Sequence, residues 1–157
     1  MAAFNSCTIK LNGTSIPLEM KSINVDFFEN NAQLVVPNLS QQFTEELKNR
    51  IRTQTRLSLT QGDADAKLEG RITGYEIRQL TLTDNDVRTE GSSRLTITVT
   101  AKYTNNLDPK QSFEESFSSF ENFSLAGRSL QSLEPQIIKR INVMITEDIF
   151  NRAFEQW

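Results

Sequence analysis

The chain has no histidine and only one cysteine among its 157 residues. Without imidazole it lacks the serine and cysteine triads and the commonest general base near neutral pH, and a lone thiol supplies neither a disulfide nor a clustered thiolate site. Carboxylate or lysine chemistry is what remains for an enzyme, and the expectation is that the protein is not one. Glycine and proline are sparse, six and four residues, unlike a low-complexity chain. No run of 18 apolar residues occurs, so nothing here spans a bilayer as a helix. Neither sign of charge predominates: 17 bases against 20 acids give −3. No whole-molecule field would therefore draw the chain to nucleic acid or to an anionic surface. A D-x-D-x-D-G calcium loop closed by Glu is also missing, and no metal or cofactor is expected.

What is present suits one globular domain. A chain of this length can bury roughly 70% of the surface it exposes when unfolded. A hydrophobic share of 37%, with ten phenylalanines, is enough to build a core without disulfides or metal. The organising stretch covers residues 16–53. Its apolar run, residues 23–28, carries Ile23, Val25, Phe27 and Phe28. That pattern predicts a strand with one face in the core and an end buried on both sides. Residues 29–33 read as a polar turn, and residues 34–36 as an apolar anchor in the loop. Then Leu39, Phe43, Leu47 and Ile51 recur every fourth residue, the spacing of one helix face. Asn38 is the expected N-cap, with Gln41 completing a capping box. Acids toward the start (Glu45, Glu46) and bases toward the end (Lys48, Arg50, Arg52, Arg56) complement the helix dipole, which accounts for this basic cluster without a ligand.

Residues 57–60 form a short alternating strand, expected to lie parallel to the first across a helical crossover. Residues 66–82 are a longer strand whose alternation slips by one near Gly74, the mark of a β-bulge. Thr83 to Asp86 make a turn, and the segment to Ser93 is polar. Residues 94–104 show the clearest alternation: Leu95, Ile97, Val99, Ala101 and Tyr103 point one way, and Arg94, Thr96, Thr98, Thr100, Lys102 and Thr104 the other. After a turn at residues 105–109, residues 111–120 form a strand with Phe113 and Phe117 on one face. A loop rich in aromatic and polar residues, 120–130, precedes a second helix. It starts near Ser132 or Glu134, with Pro135 in its first turn. Its stripe of Ile137, Ile138, Ile141, Met144, Ile145 and Ile149 is continued by Phe150, Phe154 and Trp157. The expected fold is α+β, in the order β-α-β-β-β-β-α, with two helices packed on one face of a curved mixed sheet of four to five strands. Residues 1–22 are an extended lead-in and 23–157 the single globular domain.

Five acidic pairs occur (Glu45-Glu46, Asp63 with Asp65, Asp84 with Asp86, Glu114-Glu115 and Glu147-Asp148). Their places in turns, on solvated helix faces and on opposite faces of a strand mark them as surface residues. The threonine row of residues 94–104 is more informative. With helices on one side of the sheet, this row occupies the other, where it can remain an ordinary wet face or meet a partner through many modest hydrogen bonds. Arg71, Arg78, Arg88, Arg94 and Lys102 are candidate phosphate contacts wherever they converge. Cys7 follows small or polar residues, as does the lipid acceptor of a lipoprotein whose signal segment has been removed. Met1 to Ser6 are too short for a signal peptide, and Phe4-Asn5-Ser6-Cys7 keeps only the small residue expected directly before the cysteine. A free thiol near a frayed terminus fits equally well.

Three stretches together, Gly13-Thr14-Ser15-Ile16-Pro17, residues 23–30 and the run from Pro37 to Lys48, resemble the start of the lipopolysaccharide-assembly lipoproteins in the form found in Bacteroidetes. Residues 68–75 (Leu-Glu-Gly-Arg-Ile-Thr-Gly-Tyr) and the isoleucine-rich final helix fit the same pattern. The resemblance implies an α+β lipoprotein of the outer membrane, on its periplasmic face. It implies lipidation at Cys7 and a globular domain that plugs a large β-barrel and assists lipopolysaccharide insertion into the outer leaflet. Its partners would be that barrel, lipopolysaccharide and the membrane through the lipid anchor. The alternative is a free-standing periplasmic adaptor that binds protein or peptide by strand addition at a sheet edge. The family's basic contacts have no local motif to align by, so the five cations above remain candidates from strand position. Reversing Arg94 and Lys102 to Glu is expected to weaken lipopolysaccharide binding more than reversing Lys48 and Arg52.

Overall fold

A computed structural model describes residues 16–80 and 91–155. Cys7, Arg88, the turn at 83–86 and Trp157 lie outside the described residues. The elements run β1 (Ser22–Val25), β2 (Glu29–Asn30), α1 (Leu39–Gln54), β3 (Ser58–Thr60), β4 (Ala66–Gln79), β5 (Ser92–Asn105), β6 (Phe113–Ser124) and α2 (Leu130–Phe154). A 3-10 turn at Pro109–Gln111 lies in the β5–β6 connection. The six strands form one sheet in the order β3-β1-β4-β5-β6, with β2 also on β4. The expected α+β architecture holds, and β2 is the addition to it.

The first strand unit is parallel throughout. Ile23 pairs with Leu59 of β3 on one side and with Ala66 of β4 on the other. Further on, Glu29 pairs with Arg71, so four residues after Val25 advance only three along β4 from Leu68. The extra residue turns Phe28 into the core and leaves Phe27 56% exposed. The strand end is thus not buried on both sides as expected, and Glu29 and Asn30 join the sheet instead of making a turn. The Phe28 ring lies where a Gly70 side chain would stand; a Cβ there would collide with it and with the Thr100 carbonyl oxygen. From that position Phe28 packs on Phe43 of α1, ring centroids 5.2 Å apart, while its N–H donates to the buried Thr44 hydroxyl at 3.0 Å.

Helix α1 buries the predicted stripe of Leu39, Phe43, Leu47 and Ile51 completely. Its entry differs from the expected capping box. Asn38 sits in the left-handed region (φ 65°) and its side chain caps nothing. Asparagine tolerates that conformation better than most residues, so here it serves the backbone rather than the orphan N–H groups. Helix α2 begins at Leu130, earlier than expected, because the Ser129 hydroxyl accepts the Ser132 N–H and provides the cap. Pro135 then falls in the second turn, where it forfeits one intrahelical bond. Arg50 joins the helices, donating to the Val143 carbonyl at 3.1 Å and to the Thr146 hydroxyl at 3.3 Å.

The β4-β5-β6 hairpins are antiparallel, and the bulge predicted near Gly74 lies between Ile72 and Gly74. Strand β6 runs from Phe113 to Ser124, so part of the stretch read as a loop after Phe120 belongs to the sheet. Helix α2 packs over β5 and β6, and α1 lies beside it toward β2 and β3. Leu95, Ile97, Val99 and Ala101 are fully buried beneath α2, as the alternation predicts.

Candidate functional site

With both helices on one side, the other face of β4-β5-β6 is open. Across its middle, hydroxyls pair strand to strand: Thr98 with Ser118 and Thr100 with Ser116, each at 3.1 Å. Such pairs satisfy one another without charge and leave a flat, wet surface.

The sequence-predicted cations sort into two groups at opposite ends of this face. Arg78 and Arg94 are direct cross-strand partners. Each is held by a neighbour: the Arg78 Nε donates to Glu76 at 2.8 Å, and the Arg94 Nε donates to the Asn122 Oδ1 at 2.8 Å. The Arg94 guanidinium also lies 4.0 Å above the Phe120 ring centroid. Together with Glu76, Gln79, Leu80 and Thr96 they line a shallow hollow of about 360 Å³. Like charges directly opposite each other are unfavourable, and among the described residues one carboxylate, Glu76, is paired with them. What remains is a site suited to a small anion, with planar donors already oriented.

Lys102 and Arg71 stand at the other end, eight residues along β5 from Arg94 in the case of Lys102, or roughly 27 Å at strand spacing. Lys102 faces Glu69 at 3.6 Å, and Lys67 bridges Glu69 and Asp26 at 2.5 and 2.9 Å. The hydrogen bond from Lys67, with the Lys102 charge behind it, holds the Glu69 carboxyl below its usual range. The same carboxylates raise the Lys67 ammonium. Arg71 has no ion pair among the described residues, yet Glu29, Glu69 and Glu114 line the same hollow of about 390 Å³. This end is a network of paired charges, whereas at the other end one carboxylate among the described residues, Glu76, faces Arg78 and Arg94.

Of the five acidic pairs read as surface residues, Asp84 with Asp86 lies outside the described residues. Asp65 has a structural task, its carboxylate accepting the Lys21 and Ser22 N–H groups at 2.8 and 3.2 Å. No group of three His, Cys, Asp or Glu side chains among the described residues could hold a metal. Sequence reasoning missed Glu76, Phe120 and Asn122, which orient the two arginines. Glu76 stands two residues before Arg78 on β4, while Asn122 and Phe120 emerge only from the β5–β6 register, in which Arg94 meets Asn122 and Thr96 meets Phe120. A third hollow, about 520 Å³ between the helices, is lined by Gln42, Glu46, Asn49, Lys139 and Asn142 among others. The buried Asn142 Oδ1 there has no hydrogen-bond partner among the described residues.

The model of a family described as lipopolysaccharide-assembly (LptE) matches residues 20–153. Among solved structures the chain is similar to a minor lipoprotein from Acinetobacter baumannii (12% identity, 85% of this chain and 91% of that one, TM-score 0.54). It is similar also to an uncharacterized lipoprotein B from Nitrosomonas europaea (17% identity, 89% and 86%, TM-score 0.55). A hypothetical protein from Chlamydia trachomatis gives 12% identity, 85% and 95%, with a TM-score of 0.57. At these identities the likeness establishes the fold alone. No curated protein sequence matches the chain significantly.

Proposed function

The chain belongs to the lipopolysaccharide-assembly family, and from that membership we propose that it is a non-enzymatic outer-membrane lipoprotein, anchored through Cys7, that plugs a large β-barrel translocon. In that position it assists lipopolysaccharide insertion into the outer leaflet. The observation that carries the reading is the family match over residues 20–153. The geometry supports it in two respects. A barrel lumen is polar, so a plug needs a folded body with a wet outer surface, and the hydroxyl-paired sheet face meets that need. The Arg78 and Arg94 pair places two cations side by side on a molecule of net charge −3, which supports a contact with the phosphate groups of the ligand.

Anchoring through Cys7 would leave the residues before β1 as a tether, with several acyl chains needed for durable attachment. The test is the native assembly. Detergent-extracted from outer membranes, the protein is expected to co-purify with a very large β-barrel protein. Recovery as a lone monomer would overturn the plug and leave the free-standing adaptor as the reading.

A further inference from the structure

Strand β6 ends the sheet, and its outer side has no strand partner among the described residues. It is 12 residues long and pairs one-to-one with β5 from Tyr103↔Phe113 to Ser92↔Ser124 without a register shift. Which of its backbone groups face outward follows from β5. The Leu80 N–H donates to the Ser92 carbonyl, and the Asn106 N–H donates to the Asp65 carbonyl. Even-numbered residues of β5 therefore address β4, and odd-numbered ones address β6, since antiparallel residues alternate in direction. Odd residues of β5 pair with odd residues of β6. Glu114, Ser116, Ser118, Phe120 and Asn122 consequently turn their N–H and C=O groups away from the sheet.

Sheet edges are ordinarily blunted by charged side chains, lysine above all, by proline, a bulge or short length, or by a covering helix or loop. β6 has no lysine, proline or bulge and is 12 residues long, and the charges it carries are Glu114, Glu115 and Glu121. Its helix-side acids are neutralised by α2, Glu115 by Arg152 at 2.8 Å and Glu121 by Arg140 at 2.9 Å. The middle, residues 116–120, carries no charge, and Phe120 is 48% exposed. At the opposite edge β3 has only three residues. On β4, the stretch past β2 begins at the bulge.

We propose that the outer edge of β6 receives an extended segment of the barrel partner as a seventh strand of this sheet. The identity of the occupant rests on the barrel reading above; the edge itself rests on the hydrogen-bond pattern. The row of outward N–H and C=O groups selects an extended polypeptide, and the side chains beside it restrict the sequence. Small polar residues suit Ser116 and Ser118, an apolar one suits Phe120, and a base suits Glu114, which has no ion pair among the described residues.

Proline separates this pairing from ordinary surface contact. Ser118→Pro removes an outward N–H and places a ring in the path of the incoming strand, on an edge where the fold tolerates it. Ser118→Ala keeps the N–H. Expressed in cells and extracted with the native complex, Ser118→Pro is expected to fold and to lose co-purification of the barrel by about tenfold, with Ser118→Ala near the parent. Unchanged recovery with Ser118→Pro would overturn the proposal, and so would equal loss with both variants, which would mark a side-chain contact. Should Ser118→Pro misfold, a photo-crosslinking residue at Ser116 or Phe120, compared with one at Ser58 on β3, decides. Adducts to one contiguous barrel segment from β6 support the added strand; adducts from β3 alone refute it. Absence of the barrel from the unmodified preparation defeats the plug reading and this occupant together, whereas loss confined to the edge variants leaves the plug intact.

Discussion

Arg78 and Arg94 show how little a positive residue means until its neighbours are placed. Five cations were candidates by strand position, and their surroundings now rank the four described ones. Lys102 shares Glu69 with Lys67, so a ligand must compete with an existing ion pair. Among the described residues Arg94 is held by a neutral amide and an aromatic face, and neither neutralises its charge. Reversal of Arg78 and Arg94 to Glu together is therefore expected to weaken lipopolysaccharide binding by about tenfold or more, the scale of a lost charged hydrogen bond. Lys102→Glu and the pair Lys48→Glu with Arg52→Glu should each change it much less. Binding of purified lipopolysaccharide at fixed ionic strength measures this. Equal losses in all three variants would point to nonspecific charge, because exposed charges act within a Debye length of roughly 8–10 Å.

At the scale of elements, the entry to α1 shows what periodicity reads and what it misses. The stripe Leu39, Phe43, Leu47 and Ile51 was legible because side-chain direction in a helix follows from spacing alone, and all four are buried. The alternation of β5 was legible for the same reason. Asn38 was not, since a side-chain cap and a left-handed backbone select the same residue type and only φ distinguishes them. The two roles differ in their response to substitution. Serine is a good cap but a poor left-handed residue, whereas glycine adopts positive φ freely. Asn38→Ser is expected to cost about 1–2 kcal/mol in denaturant unfolding, and Asn38→Gly close to nothing. A neutral Asn38→Ser would restore the capping reading. β2 was illegible for a different reason. Its two residues join the sheet only because the chain gains one residue on β4 near Phe28, and parallel register has no local sequence signal.

The whole molecule combines these parts into a dependence on pH that can be followed from each end. On the acid side, the N–H groups of Lys21 and Ser22 hold the Asp65 carboxyl below its ordinary 3.8. Lys67, followed by Lys102, lowers Glu69 from 4.5. A folded-state value below the unfolded one stabilises the protein above the unfolded value, and that stability is lost as pH falls through the folded value. Asp148, raised by burial and by Glu147, acts in the opposite sense and softens this limb. On the alkaline side stand the only two tyrosines. Burial pushes Tyr103 from 10.0 to about 12, and burial together with Glu134 raises Tyr75. A raised phenol leaves stability fully present below 10.0 and removes it as pH climbs through the folded value, because the unfolded chain ionises first. Stability should therefore be nearly flat between these limbs. Tyrosinate absorbance of the native protein should rise only above the pH at which the unfolded chain titrates. Tyr103→Phe separates the effect from general alkaline damage. Among the described residues the hydroxyl has only the Met20 sulfur at 3.8 Å as a partner, so its removal should change neutral stability by less than about 1 kcal/mol. The variant should also lose less stability above pH 10 than the parent. Native tyrosines that titrate with the unfolded chain would mean that α2 does not seal Tyr103 against β5 in solution.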